Sequence, residues 1–199
     1  MKNKQVHVEH RLDLFLEEEV EQIIKLGDAL VLSEGEVYRS GKDYYEGKGN
    51  RVDHSVRKAK IAWLHPGKDT WWLFDRAILM FKSSMPFSTL QSAQYTIYDS
   101  KGSHYDWHRD IGKGDKIMKA RVNVGIIQLS DPGDYKGGVL QIKYEDQVID
   151  VMKMRGMTTT FPIDMEHRVT PVTSGVRKTL IMWGLKWNYS PSKEKMNND

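Results

Sequence analysis

Residues 158–187 read TTTFPIDMEHRVTPVTSGVRKTLIMWGLKW, and this stretch decides the fold class. Short runs rich in β-branched and aromatic residues, at Thr158–Phe161, Arg168–Val172 and Lys178–Trp187, alternate with Pro, Asp, Ser and Gly. Such runs predict strands, and the segments between them predict turns. We therefore expect the second half of the chain to be β-structure.

The same pattern extends from this stretch back to Pro86. Further strands are predicted at Leu90–Tyr98, Arg121–Leu129, Val139–Tyr144 and Val148–Met152, with turns at Asp131-Pro132-Gly133, Gly137-Gly138 and Ser174-Gly175. Short strands at this spacing favour a sandwich or a barrel, including jelly rolls.

The first half of the chain has a different pattern. Apolar residues recur every three or four positions after Asp13, a candidate N-cap, and continue to Val31, so they predict a helix that Gly27 weakens. A second helix is predicted over Asp69–Phe81. Between them, Arg39–Val52 carries three glycines and two tyrosines, and we interpret it as a loop that closes over substrate as a lid.

Composition limits the possible chemistry. The 199 residues include no cysteine, which excludes thiolate metal sites, cysteine nucleophiles and disulfides. No apolar run approaches the roughly 20 residues that cross a bilayer, and the polar start lacks a signal-peptide core, so a cytoplasmic protein is expected. The net charge is only +3. The basic stretch Arg39–Lys60 is interpreted as a solvated loop, and nucleic acid is not an expected partner.

Three His-x-acid pairs could each place two metal ligands on one side of an extended segment: His7/Glu9, His104/Asp106 and His108/Asp110. His7 lies in a polar leader and is expected to be a surface residue. The spacing alone leaves the choice between the other two pairs open.

A third ligand must come from elsewhere in the chain, and His167 follows the turn after a predicted strand. Two histidines and one carboxylate form a facial triad, which is typical of non-haem Fe(II) oxygenases, although zinc also accepts it. A capping or core histidine is the alternative for His167.

Arg177 lies ten residues after His167 and shares a strand face with Thr179. A guanidinium on a half-buried strand can bind a carboxylate through two parallel hydrogen bonds. An outward-facing arginine in a salt bridge is the alternative, and periodicity does not decide between the two.

Over Val52–Trp187 the chain resembles the prolyl-hydroxylase-like 2-oxoglutarate oxygenases, and in particular the bacterial and phage PKHD-type hydroxylases. The residues that carry the resemblance are Gln94-Tyr95-Thr96-Ile97-Tyr98, Gly102, Tyr105-Asp106-Trp107-His108-Arg109-Asp110, Gln128–Leu140, His167–Val172, Gly175, Arg177, Thr179 and Trp183. Thr179 departs from the serine that is commoner in the family but keeps the hydroxyl.

The resemblance selects His108/Asp110, because Tyr98 lies ten residues before His108, as the family's cofactor-contacting tyrosine does. It implies that His108, Asp110 and His167 bind Fe(II) and act as the catalytic metal site. It further implies that Arg177 pairs with the distal carboxylate of 2-oxoglutarate and that Thr179 and Tyr98 donate hydrogen bonds to it.

The resemblance also implies an α+β, mainly β fold with a double-stranded β-helix (jelly-roll) core and N-terminal supporting helices. We expect a single dioxygenase domain over 1–199, with a helical annex and lid loop at 1–88, the jelly-roll core at 89–188 and a disordered tail at 189–199.

The implied reaction is hydroxylation of an unactivated C–H bond with release of succinate and CO2, with ascorbate as a candidate reductant. The expected substrate is a prolyl residue of a peptide or protein. A free amino acid, a small metabolite or a nucleic-acid base remains an alternative. A non-catalytic jelly-roll binding module and a zinc hydrolase are alternatives from other classes, but both leave Arg177 without a role.

Overall fold

The computed structural model describes residues 8–37, 51–81, 87–111 and 116–186. The strands are β1 (Glu9–Arg11), β2 (Ser33–Glu34), β3 (Glu36–Val37), β4 (Arg51–Val52), β5 (Arg57–Lys58), β6 (Lys60–Leu64), β7 (Thr89–Leu90), β8 (Ala93–Tyr98), β9 (His104–His108), β10 (Arg121–Gln128), β11 (Tyr135–Gly137), β12 (Leu140–Tyr144), β13 (Gln147–Asp150), β14 (Thr158–Pro162), β15 (His167–Val169), β16 (Val172–Gly175) and β17 (Arg177–Leu185). The helices are α1 (Glu17–Asp28), α2 (Trp71–Ile78) and α3 (Lys116–Ala120).

Two antiparallel sheets form the core of the fold. The major sheet has the order β1-β14-β10-β17-β8-β6-β2, with β7 paired to β17. The minor sheet has the order β13-β12-β15-β9-β5, and two short ribbons join β11 to β16 and β3 to β4. The predicted mainly β, jelly-roll class with supporting helices is confirmed.

Alternating side chains give the major sheet two buried faces. On β17, Leu180 and Met182 pack against helices α1 and α2, whereas Ile181 and Trp183 pack in the core between the two sheets. By the same alternation, Arg177 and Thr179 face the space between the sheets. This orientation brings them to the side of the fold that carries the candidate site.

Gly27 lies inside α1 because the helix crosses the ring of Tyr95 there. A Cβ atom at this position would lie 2.5 Å from the ring, and Tyr95 is fixed at its far end by a 2.7 Å hydrogen bond from its hydroxyl to Asp28. The ring of Tyr95 therefore cannot move away freely to make room for a Cβ atom at position 27. The glycine that weakened the predicted helix is a packing requirement.

Gly27→Ala should lower the free energy of unfolding by about 1 kcal/mol, because overpacking costs roughly 1–3 kcal/mol and alanine regains at most about 1 kcal/mol of helix propensity. Urea unfolding of the variant measures the change. Gly67→Ala is the control, since its Cβ would meet nothing closer than 3.8 Å. A Gly27→Ala protein as stable as the parent would contradict this packing argument.

The first helix begins later than its sequence pattern indicates. Asp13 is not the N-cap: its carboxylate forms an ion pair with Arg11 at 2.7 Å, and the helix starts at Glu17. The side chain of Glu19 instead accepts a hydrogen bond from the Leu16 backbone amide at 2.8 Å. The helix also ends at Asp28, short of Val31.

Two of the predicted strands are each divided into two shorter strands. The strand predicted over Arg168–Val172 divides into β15 and β16 around Pro171, which lacks a backbone N–H for the ladder. The strand predicted over Leu90–Tyr98 divides into β7 and β8, both of which still pair with β17. The second predicted helix, α2, occupies the middle of the expected range.

The segment before residue 89 adds strands as well as helices. β1 pairs with β14, and β6 pairs with β8 inside the major sheet. Most of the predicted lid, residues 39–50, and the whole predicted tail, 189–199, lie outside the described residues. Within the described ranges, no helix is long and apolar enough to cross a membrane.

Candidate metal centre and its cavity

Strand pairing in the minor sheet brings two histidines from distant parts of the chain together. His108 ends β9, His167 begins β15, and the two residues are partners in the ladder. Asp110 follows two residues after His108, and its carboxylate lies 3.5 Å from Nε2 of His108 and 4.0 Å from Nε2 of His167. The potential ligand atoms of the three side chains all lie within 4.8 Å of one another, which is a geometry that one metal ion can bridge.

Backbone carbonyls set the tautomer of both histidines. Nδ1 of His108 lies 2.7 Å from the carbonyl of Asp106, and Nδ1 of His167 lies 3.0 Å from the carbonyl of Met165. Because a carbonyl only accepts hydrogen bonds, each Nδ1 carries the proton and each Nε2 keeps its lone pair. Both lone pairs are then available for a metal, as in metal-binding histidines generally.

Burial and neighbouring charge prepare the ligands for a cation. Burial, together with the charge of His108, lowers the pKa of His167 to about 4, so that its imidazole is neutral. For Asp110 burial opposes ionisation, but contact with His108 and the positive charge of Arg121 favour the ionised form, and the pKa lies well below its usual range. A neutral imidazole and an ionised carboxylate are the protonation states that bind metal.

Trp183 holds the carboxylate of Asp110. Its indole Nε1 donates a hydrogen bond to Oδ2 of Asp110 at 2.8 Å, and the guanidinium of Arg121 lies 3.9 Å over its ring. No individual role was predicted for Trp183. The alternation of β17, which places Trp183 on the same face as Arg177, was the signal that could have found it.

Trp183→Phe should weaken binding of Mn(II) by about 10- to 100-fold, the usual cost of losing a group that orients a metal ligand. Titration of Mn(II) into the protein measures the affinity. Trp72→Phe serves as the control, because that indole donates to a backbone carbonyl of Asp69 remote from the centre. Equal Mn(II) affinity in the Trp183 variant and the parent would show that Asp110 needs no such support.

The competing histidine, His104, lies elsewhere. Its Nδ1 contacts the carbonyl of Gly102 at 2.8 Å and its Nε2 contacts the carbonyl of Ser55 at 3.3 Å, so both ring nitrogens face backbone. The His7/Glu9 pair remains untested, since residue 7 lies outside the described ranges. Among the residues that are described, the structure therefore assembles the cluster from the pair that the resemblance selected.

The cluster opens into a cavity of about 320 Å³ between the two sheets. This volume lies at the lower end of the roughly 300–1,000 Å³ range of small-ligand sites. Apolar side chains of Ile126, Leu140 and Ile181 line it, and Tyr98 and Trp183 form part of its wall. Tyr98, predicted to contact the cofactor, is thus placed beside the cluster.

Arg177 points inward and lines a smaller adjoining cavity, which shares Ile126 and Leu140 with the main one. Only 3% of the residue is exposed, its guanidinium lies 5.2 Å over the ring of Tyr98, and its buried Nε has no hydrogen-bond partner. The alternative of an outward, solvated arginine is wrong. A buried guanidinium with an unused donor is suited to an anionic ligand.

The cavity beside Arg177 has a volume of about 10 Å³, and Gly138 forms part of its wall. Gly138 has a positive φ of 56°, and a Cβ there would lie 3.0 Å from Cδ of Arg177, so a larger residue would crowd the guanidinium. Burial and the nearby charge of Arg177 lower the pKa of Lys153, which lines the same cavity. Thr179 shares the face of Arg177 and is buried, but it lines neither cavity.

A family model matches the segment that carries these residues. Residues 91–184 match the 2OG-Fe(II) oxygenase superfamily. The matched range contains all of the predicted site residues from Tyr98 to Thr179, together with Trp183.

Curated relatives and solved structures agree with this match. A PKHD-type hydroxylase of Azoarcus sp. is 30% identical over 113 residues, which are 55% of this chain and 49% of that protein. A PKHD-type hydroxylase of Hyphomonas neptunium is 35% identical over 86 residues, 42% of this chain and 38% of that protein. The alignments thus cover half or less of these relatives.

Two solved structures share the fold over nearly the whole chain. A Pseudomonas putida prolyl-4-hydroxylase has a TM-score of 0.65 at 14% identity and covers 92% of this chain and 94% of its own. A prolyl hydroxylase from Trichoplax adhaerens, solved with a hypoxia inducible factor peptide fragment, has a TM-score of 0.70 at 16% identity, over 90% and 83% of the two chains. Over the segment that carries the site, this chain is therefore similar to the 2OG-Fe(II) oxygenase superfamily, and it shares its fold with prolyl hydroxylases.

Proposed function

We propose that this chain is an Fe(II)- and 2-oxoglutarate-dependent dioxygenase that hydroxylates a prolyl residue of a peptide or protein and releases succinate and CO2. One observation carries the proposal. The cluster of His108, Asp110 and His167 and the guanidinium of Arg177, whose buried Nε has no hydrogen-bond partner, line adjoining cavities in the same core.

The residues at the cluster fit a metal of the iron type. Two neutral imidazoles and one ionised carboxylate would hold Fe(II) through Nε2 of His108, Nε2 of His167 and an oxygen of Asp110. Such a facial set leaves coordination positions open for other ligands. The carbonyls behind both imidazoles and the indole of Trp183 keep the three groups oriented before the metal arrives.

The residues around Arg177 fit the distal carboxylate of 2-oxoglutarate. Its guanidinium would form a charge-assisted pair with that carboxylate and satisfy its buried Nε. Tyr98, which contacts Arg177 and also lines the main cavity, lies between the two binding positions and would donate from its hydroxyl. Thr179 is the least direct of the three, since it lines neither cavity.

When bound, Fe(II) and 2-oxoglutarate supply an oxidant that can hydroxylate an unactivated C–H bond. The protein's own task is to position the reactants and to exclude water, and the apolar walls formed by Ile126, Leu140, Val169 and Ile181 serve that purpose. The proposal of a prolyl substrate rests on the prolyl hydroxylases that share the fold.

The test is to incubate the purified chain with Fe(II), 2-oxoglutarate, ascorbate and a pool of proline-containing peptides. We expect succinate to form by NMR, and a subset of the peptides to gain one oxygen atom in mass. Turnover that requires Zn(II) instead of Fe(II), or hydrolysis without use of 2-oxoglutarate, would support the zinc-hydrolase alternative. Binding of peptides with no consumption of 2-oxoglutarate would support a binding module.

A further inference from the structure

Two arginines flank the metal centre, each stacked on an aromatic ring that contacts a ligand. The guanidinium of Arg57 lies 4.6 Å over Tyr105, and the Tyr105 ring stacks on His108 at 3.5 Å. On the other side, Arg121 stacks on Trp183, which donates to Asp110. Both arginines line the main cavity, so each presents a positive charge one aromatic layer away from the centre.

Among the residues that the structure describes, no carboxylate contacts the buried guanidinium of Arg57. Only 6% of the residue is exposed, although the sequence pattern placed it in a solvated basic loop. Its Nη2 donates to Oε1 of Gln94 at 2.7 Å and its Nη1 donates to the backbone carbonyl of Glu36 at 3.3 Å, while its buried Nε has no hydrogen-bond partner. These partners orient the guanidinium but leave its charge uncompensated, which is costly in a buried position.

The charged residues that line the cavity also favour an anionic ligand. The described residues that line it include three guanidinium groups, of Arg57, Arg109 and Arg121, and two carboxylates, of Glu36 and Asp110. The two positive charges of Fe(II) and the two negative charges of 2-oxoglutarate cancel. Arg109 forms an ion pair with Glu166 at 3.9 Å, whereas the guanidinium of Arg57 contacts no carboxylate among the described residues, so Arg57 is a cation that remains for a substrate anion.

We propose that Arg57 binds a carboxylate of the substrate, so that the substrate is an anion whose carboxylate lies within a few bonds of the hydroxylated carbon. The short path from Arg57 through Tyr105 to His108 sets that distance. This proposal rests on the proposed function and narrows its substrate class. The carboxylate has two sources: the α-carboxylate of a free amino acid, or an acidic side chain next to the target proline in a peptide.

Binding to the Mn(II)–2-oxoglutarate form of the protein tests the proposal without turnover. The probes are two matched pairs, L-proline with L-prolinamide and acetyl-Pro-Glu-amide with acetyl-Pro-Gln-amide, titrated by calorimetry. We expect the charged member of at least one pair to bind about tenfold or more tightly than its neutral partner, because charge-assisted bidentate pairs are strong and a tenfold change needs only one such contact. The pair that discriminates identifies the source of the carboxylate.

Variants of Arg57 assign the preference to this residue. Arg57→Gln should abolish the difference within the pair, and Arg57→Lys should retain part of it, since it keeps the charge but loses the fork. Lys58→Gln is the matched control, because it removes a positive charge from the same strand. The ammonium of Lys58 donates a hydrogen bond to the carbonyl of Lys101. This control should keep the full preference.

Each possible result of these titrations supports or contradicts the role proposed for Arg57. Equal affinity within both pairs in the parent, or no binding of either charged probe, overturns the proposal. A preference that persists in folded Arg57→Gln overturns the assignment to Arg57 and leaves the residue a structural tie between Glu36 and Gln94. Affinity for 2-oxoglutarate itself is measured in parallel, because its loss would count against the proposed function and not against the substrate class.

Discussion

His108→Ala and His167→Ala are each expected to abolish 2-oxoglutarate turnover. Each change removes one of three ligand groups that lie within 4.8 Å of one another, and no other His or acidic side chain among the described residues joins that group. The loss of metal affinity should exceed the roughly 10- to 100-fold that removal of a supporting group costs. Iron content after reconstitution and succinate formation measure the two effects.

His104→Ala is the matched control for both variants. It removes a histidine from the same strand, but one whose ring nitrogens face the carbonyls of Gly102 and Ser55. Iron binding should remain close to that of the parent. Full iron occupancy in a folded His108→Ala or His167→Ala protein would contradict the ligand assignment, and circular dichroism confirms that each variant is folded.

Arg177→Met is expected to weaken 2-oxoglutarate binding by roughly 100-fold or more. Hydrogen bonds to charged groups contribute about 1.5 to 3 kcal/mol each, and a guanidinium makes two of them to one carboxylate. The methionine would also leave that buried carboxylate beside Tyr98 without its guanidinium partner. Titration of 2-oxoglutarate into the Fe(II) form under anaerobic conditions measures the affinity.

Two further variants separate the effect of the charge from that of the two parallel hydrogen bonds, and the effect of Arg177 from that of Thr179. Arg177→Lys keeps the charge but loses the fork, so its affinity should fall between those of the parent and of Arg177→Met. Thr179→Ser keeps the hydroxyl at a position that lines neither cavity and should change little. If Arg177→Met bound 2-oxoglutarate as tightly as the parent, the co-substrate assignment would fail and the zinc-hydrolase and binding-module alternatives would regain support.

The local pattern of the chain predicted much of the second half of the fold. Side chains alternate between two faces along Lys178–Trp187, because successive side chains of any extended segment point to opposite sides. The structure shows this alternation on β17, where Leu180 and Met182 pack on one side and Ile181 and Trp183 pack on the other. The lid predicted at 39–52 remains a prediction, because most of it is outside the described residues.

Local patterns failed where a residue's role depends on a distant partner. Asp13 satisfies the residue preference of an N-cap, but its carboxylate is taken by Arg11, and Glu19 serves the helix end instead. Arg57 stands in a basic, glycine-rich neighbourhood that indicates a loop. Pairing of β5 with β9 buries it, and β9 follows more than forty residues later.

The sequence by itself determined the mainly β class, the two-residue spacing of His108 and Asp110, and the shared strand face of Arg177 and Thr179, but not whether that face points inward. The tertiary structure alone decided that His108 lies opposite His167, that Trp183 holds Asp110, and that Arg57 lines the cavity. The physical reason is the distance along the chain over which each interaction acts. Periodicity and residue chemistry act over a few neighbouring positions, whereas the pairing of strands far apart in the chain results from many weak contacts that no short segment encodes.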